Sequence, residues 1–132
     1  MLLTKKTEYA ILSLVAIAKS PNPKNVDLLS KELDIPKPYL AKILQSFSKS
    51  DILTSYKGIN GGFTLALTPE NISLLKITTI SEDKAISVFE CSPTIESCPN
   101  NKGHNCNLWS TLNKLQIKID DFLDKITLKD IM

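Results

Sequence analysis

Between Ile35 and Leu67 the chain reads IPKPYLAKILQSFSKSDILTSYKGINGGFTLAL. Pro38 suits the first turn of a helix, where a missing N–H costs nothing. From there Leu40, Ile43, Leu44 and Phe47 follow the i, i+3, i+4, i+7 rhythm of one helical face. The opposite face carries Tyr39, Lys42, Gln45, Ser46 and Lys49. This predicts a helix over about 38–50 with an apolar inside and a basic, polar outside. Two β-prone runs follow, Leu53–Lys57 and Phe63–Leu67. Between them sits GING (Gly58–Gly61), whose glycines suit a hairpin turn.

Upstream, MLLTKKTEYAILSLVAIAKS predicts a mostly buried helix over about 4–19. Glu8 interrupts its apolar run and no small-residue cleavage site closes it. It therefore reads as a mature helix rather than an export signal, and the expected compartment is the cytoplasm. SPNPKN breaks the helix. Asn25 is the candidate N-cap of a short second helix containing Leu28, Leu29 and Leu33. Two short helices, a third with a basic outer face, then a hairpin is the winged helix-turn-helix plan.

Downstream, Pro69–Ser81 predicts a connector and a short fourth helix. Leu108–Lys125 predicts a long one. Leu108, Leu112, Leu115, Ile119, Phe122 and Ile126 are spaced alternately by four and three, a heptad seam suited to a partner helix. Trp109, Ile117 and Leu123 broaden it. The expected fold is mainly α with a small β-hairpin: a winged-helix DNA-binding domain over 1–68, then a cysteine loop and dimerisation helix over 69–132.

The chain has 132 residues, ordinary globular composition and no apolar run long enough to span a membrane. Its net charge of +2 is unevenly spread. Residues 1–62 hold nine Lys against five acids, and residues 63–132 hold seven against nine. The N-terminal half is thus the half expected to meet a polyanion. Every one of its basic residues is Lys, which offers point charge to phosphates but no planar fork for bidentate base contacts. No His–Cys–Asp set or phosphate-binding glycine loop is present, so no enzyme is expected.

Three segments together resemble the Rrf-two family of bacterial winged-helix transcription regulators, which includes the IscR, NsrR and CymR types. They are MLLTKKTEYAILSLVAIA, LLSKELDIPKPYLAKILQSFSKSDILTSYKGINGGFTLA and CNLWSTLNKLQIKIDDFLDKITLKDI. The resemblance implies a homodimer on double-stranded DNA, with the third helix in the major groove and the wing toward the minor groove. It places Lys37, Pro38, Tyr39, Ala41 and Lys42 in the reading region and Lys57 in the wing. Ala41 stands where IscR-type regulators carry a glutamate that shapes base choice, and Lys57 where they commonly carry Arg. The operator sequence is therefore not transferable. From residue chemistry, Lys42, Lys49 and Lys57 suit phosphates, while Gln45 and Asn60 suit base edges.

All three cysteines, Cys91, Cys98 and Cys106, and the single histidine, His104, lie in one polar loop. The resemblance implies an iron–sulfur cluster there, 2Fe–2S or 4Fe–4S, sensing redox, nitric oxide or iron status for a repressor. An open polar loop gives oxygen access, so the cluster can be lost on aerobic purification. In some relatives a carboxylate near the start of the first helix completes the cluster from the other subunit. The matching residue is Glu8; His104 is the alternative. A Cys3His zinc site and a bare thiol switch remain open, although the spacing lacks the close cysteine pairs of common zinc modules. A protein-interaction winged helix or an iron–sulfur carrier is the alternative of another class. A carrier needs no basic third-helix face.

Overall fold

The computed structural model describes residues 3–89, 92–97 and 103–132. Helix α1 (Lys5–Lys19) starts at Thr4, whose hydroxyl accepts from the Thr7 N–H, and stops at Ser20 before the prolines. Asn25 caps α2 (Val26–Leu33), its side-chain oxygen accepting from the Leu28 N–H at 2.8 Å. Helix α3 (Lys37–Lys49) carries Pro38 in its first turn, and Leu40, Ile43, Leu44 and Phe47 are all buried. The wing strands are β1 (Leu53–Tyr56) and β2 (Gly62–Leu65), antiparallel with Leu53 opposite Leu65. A single 3-10 turn, Pro69–Asn71, leads into α4 (Leu74–Glu82). The long helix α5 is Trp109–Lys125 and the short α6 is Leu128–Ile131. Each predicted element is present, with the predicted ends unmoved or moved by one or two residues, as end fraying and capping allow.

The main core joins Leu14 of α1, Leu29 of α2, Leu44 and Phe47 of α3 and Ile52 before the wing. It also takes in Ile72, Ile77 and Leu128, so residues far beyond the wing complete the core beneath α3. The chain returns from α5 by a one-residue bridge. The Leu74 N–H donates to the Ile126 carbonyl at 2.7 Å, and the Leu128 N–H to the Ile72 carbonyl at 2.8 Å. A capping box between Thr127 and Asp130 starts α6, and Leu128 pins it by full burial. A second, smaller cluster of Leu74, Ile86 and Leu123 joins α4 to α5.

The start of α1 is tied to the end of α4 by a buried polar clasp. The Thr7 hydroxyl lies 2.7 Å from that of Ser81 and donates to the Glu82 carboxylate, as the Thr4 hydroxyl also does. Burial pushes the Glu82 carboxyl up, but the two hydroxyl bonds outweigh it and hold its pKa below the usual value.

The wing is anchored to the α1–α2 connection. Lys24 and Phe63 exchange both backbone hydrogen bonds, at 3.2 and 2.8 Å. Gly62 makes this approach possible. Its φ is +148°, and a Cβ there would lie 2.5 Å from the Lys24 carbonyl carbon. Gly62→Ala must therefore push β2 off the connection. The expected loss is about 1–3 kcal/mol, read as a fall of several degrees in thermal midpoint; an unchanged midpoint contradicts the anchor.

Candidate nucleic-acid interface and cysteine loop

Burying the apolar stripe of α3 obliges its other face to point outward. Lys37, Pro38, Tyr39, Lys42 and Gln45 are all exposed there, and Lys57 and Asn60 are exposed at the wing. Helix and wing tip thus present these seven residues and Lys49 to solvent, while Ala41 is half-buried. Between Lys57 and Asn60, Ile59 is fully exposed at the tip, a side chain that the sequence reading passed over.

Two contacts refine the surface. Lys37 is held by Asp27 of α2 at 2.6 Å, and its ammonium keeps the Asp27 carboxyl below the ordinary carboxylate range. Lys37 is therefore less free for a phosphate than Lys42, Lys49 or Lys57, none of which forms an ion pair among the described residues. Tyr39, at the start of α3, meets the edge of Tyr9 with ring centroids 5.7 Å apart, and the Lys5 ammonium sits 5.3 Å from the Tyr9 ring. This packing fixes where α3 begins to project.

Of the candidate metal ligands, Cys91 and Cys98 lie outside the described residues. Cys106 is a free, half-buried thiol that directly follows the 3-10 turn Gly103–Asn105, which exposes His104. Glu8 lies on the outer surface of α1, paired with Lys5 at 2.9 Å. That pair raises the Lys5 pKa. Among the described residues no three His, Cys, Asp or Glu side chains converge as a metal site. By donor chemistry the three cysteines of the sequence, with an exposed imidazole at His104 and an exposed carboxylate at Glu8, fit an iron–sulfur cluster.

The residue that builds this region is Gln116. It is 3% exposed in α5, yet every polar atom of its amide is used. Its Oε1 accepts from the Val88 N–H and the Ser92 hydroxyl, both at 2.7 Å. Its Nε2 donates to the Ile86 carbonyl at 2.9 Å and to Asp120 Oδ1 at 2.8 Å. One turn away, Asn113 Nδ2 donates to the Ser92 carbonyl at 2.9 Å. The segment flanking Cys91 is thereby stapled to α5. A glutamine on an otherwise heptad-patterned helix was the available signal, but nothing in the sequence names its partners.

The heptad seam divides into two rows. Leu108, Leu115 and Phe122, seven residues apart, are 58, 42 and 65% exposed. Leu112, Ile119 and Ile126 are half-buried, and Ile119 and Ile126 pack on the small cluster around Leu123. Of the heptad seam, Ile119 and Ile126 thus serve the chain's own fold, while Leu108, Leu115 and Phe122 stand outward. A second exposed apolar patch lies on α1, where Leu3 and Leu12 are 40 and 42% exposed beside Glu8. No described helix is long and apolar enough to cross a membrane.

The Rrf2 family profile, described as "Iron-dependent Transcriptional regulator", matches residues 3–132. A helix-turn-helix-type transcriptional regulator of Aquifex aeolicus is 29% identical over 100% of this chain and 92% of its own. The transcriptional regulator IscR of Aliivibrio salmonicida is 27% identical over 100% of this chain and 77% of its own. Among solved structures, CymR, the global cysteine regulator of B. subtilis, superposes with TM-score 0.74 at 20% identity, over 99% of this chain and 95% of that one. T. potens IscR does so with TM-score 0.74 at 21% identity, over 99% and 85%.

Gln116→Ala would leave the Val88 N–H and the Ile86 carbonyl without their partner. The expected cost is about 2–4 kcal/mol, measured by denaturant unfolding. Gln116→Glu keeps the acceptor but loses the donor and faces Asp120, so it should destabilise too, more at neutral than at acid pH. Wild-type stability in both variants would mean that the staple is not formed. With its winged helix, exposed basic α3 and a profile match from end to end, this chain belongs to the Rrf2 family of transcriptional regulators.

Proposed function

We propose that this Rrf2-type regulator acts as a homodimer that reads operator DNA through α3 and the wing and senses redox, nitric oxide or iron status through an iron–sulfur cluster. The observation that carries the reading is the position of the cysteine loop. Gln116 and Asn113 fasten its flank to α5, the helix whose Leu108, Leu115 and Phe122 stand open. Cys91, Cys98 and Cys106 would hold the cluster, with Glu8 of α1 or His104 as the fourth ligand. When bound, such a cluster supplies a centre whose integrity answers to oxidants and iron supply.

The chain's own residues do the rest. Lys42 and Lys57 neutralise backbone phosphates, and Gln45 and Asn60 face base edges. Leu115 and Phe122 dock on a second copy, and the apolar patch of Leu3 and Leu12 offers that copy a seat beside Glu8. A carboxylate on one subunit and thiolates on the other then tie the two reading heads together. Their separation must match half-sites about one DNA turn apart, so a shift of a few Å changes affinity. The cluster regulates only by favouring one dimer arrangement over the other.

Three measurements test this. Leu115→Lys and Phe122→Lys place a charge in the docking row, where desolvation without a partner is costly, and should yield monomer in light scattering. A well-folded dimer in both would remove α5 from the interface. Lys42→Ala with Lys57→Ala should weaken operator binding at least several-fold at moderate salt; unchanged retardation would reject the helix-and-wing surface. Anaerobically purified protein should be brown and lose colour in Cys91→Ala, Cys98→Ala and Cys106→Ala, with operator affinity differing between loaded and stripped forms. Colourless protein carrying stoichiometric zinc, or bare thiols that form a disulfide on oxidation, would replace the cluster by those readings. Equal affinities would end the sensor role while leaving DNA binding intact.

A further inference from the structure

Behind the reading face, the start of α1, the end of α3 and the end of α4 enclose an open cleft of about 560 Å³. We propose that this cleft is a phosphate-binding site. Lys6, Lys49 and Lys84 line it, one from each of the three segments, against a single lining carboxylate, Asp83. None of the three lysines forms an ion pair among the described residues. The neighbouring Glu82 carboxylate accepts from the Thr4 and Thr7 hydroxyls and also feels the charges of Lys6 and Lys84, so it offsets part but not all of the positive charge of the cleft. Three ammonium groups bordering one concavity repel each other, and a multiply charged anion relieves that repulsion.

The hydroxyls favour phosphate over a carboxylate. Ser50, at the C-cap of α3, also lines the cleft, and its hydroxyl makes no hydrogen bond among the described residues, so it is a donor in waiting. Ser46 and Thr79 already donate to the Lys42 and Leu75 carbonyls, at 3.1 and 2.8 Å, and keep only acceptor lone pairs. Three lysines and one hydroxyl suit an acceptor with several terminal oxygens, while the two spent hydroxyls suit a protonated phosphate oxygen or a bridging water. The cleft is far larger than one phosphate and leaves room for what the phosphate is attached to.

That phosphate has two sources. One is the DNA backbone, because Lys42, Ser46 and Lys49 share a face of α3 and lead from the reading surface toward the cleft; this source rests on the DNA-binding reading. The other is a small phosphorylated molecule acting as an effector. The test compares full-length wild type with Lys6→Ala/Lys49→Ala/Lys84→Ala. Lys19→Ala is the control, at the other end of α1, roughly 20 Å away by helical rise. Inorganic pyrophosphate is titrated calorimetrically, and operator affinity is measured across a salt series. A tenfold or greater loss of pyrophosphate affinity in the triple variant, with operator binding no weaker than in Lys49→Ala alone, assigns the site to a free phosphate. A salt slope lower by about one per lost contact, with weak pyrophosphate binding in both proteins, assigns it to the backbone. Triple-variant behaviour equal to wild type in both titrations, or equal to Lys19→Ala, overturns the site. Should wild type fail to bind any operator, the DNA-reading proposal falls, and the pyrophosphate titration alone decides the cleft.

Discussion

A single buried amide organises the half of the molecule that follows the wing. Gln116 removes a polar group from water, which is tolerable only because each of its hydrogen bonds is made. An apolar residue there could not hold the loop flank at Ile86, Val88 and Ser92. The amide therefore exchanges some packing freedom for a fixed register between loop and helix. With four partners in low-dielectric surroundings, the network is costly to break in part, which favours all-or-none behaviour of the flank over gradual loosening.

The same constraint reaches the DNA-reading face through covalent and packed links. From Gln116 the helix runs to Ile126, whose carbonyl binds the Leu74 N–H, and then to Leu128, buried in the core beneath α3. From the other side, α4 ends in Glu82, clasped to the start of α1, which carries Glu8 and Tyr9. The loop is thus bracketed by two elements that both end on the winged-helix core.

How much of this the sequence carried depended on the range of the interaction. The α3 stripe, the Asn25 cap and the hairpin glycines are local, and periodicity or turn chemistry exposes them directly. The outward placement of Tyr39, Lys42, Gln45 and Lys49 followed from the stripe, since burying one face leaves the other exposed. Contacts between distant segments left no such trace. Lys24 pairing with Phe63, Asp27 claiming Lys37, the Thr7–Ser81–Glu82 clasp and the partners of Gln116 each join residues whose spacing has no pattern. The heptad was legible as a period but not as a division of labour. A period of seven marks positions on a helix, whereas which neighbour covers each row depends on where α4 lies.

That division has a consequence for signalling. Because Ile119 and Ile126 are committed to the chain's own small cluster, α5 cannot roll freely against its own domain without uncovering Leu123 and breaking the Gln116 bonds. A change in the cysteine loop is then not absorbed by slack between α5 and the winged helix. It is passed instead to the outward row of α5, where Leu108, Leu115 and Phe122 stand largely exposed. In the proposed dimer that row faces the other copy, so a change passed to it bears on the spacing between reading heads. Rigid subunits with one compliant joint convert a small local change into a displacement of whole domains, and packed interfaces tend to settle in discrete arrangements rather than deform continuously.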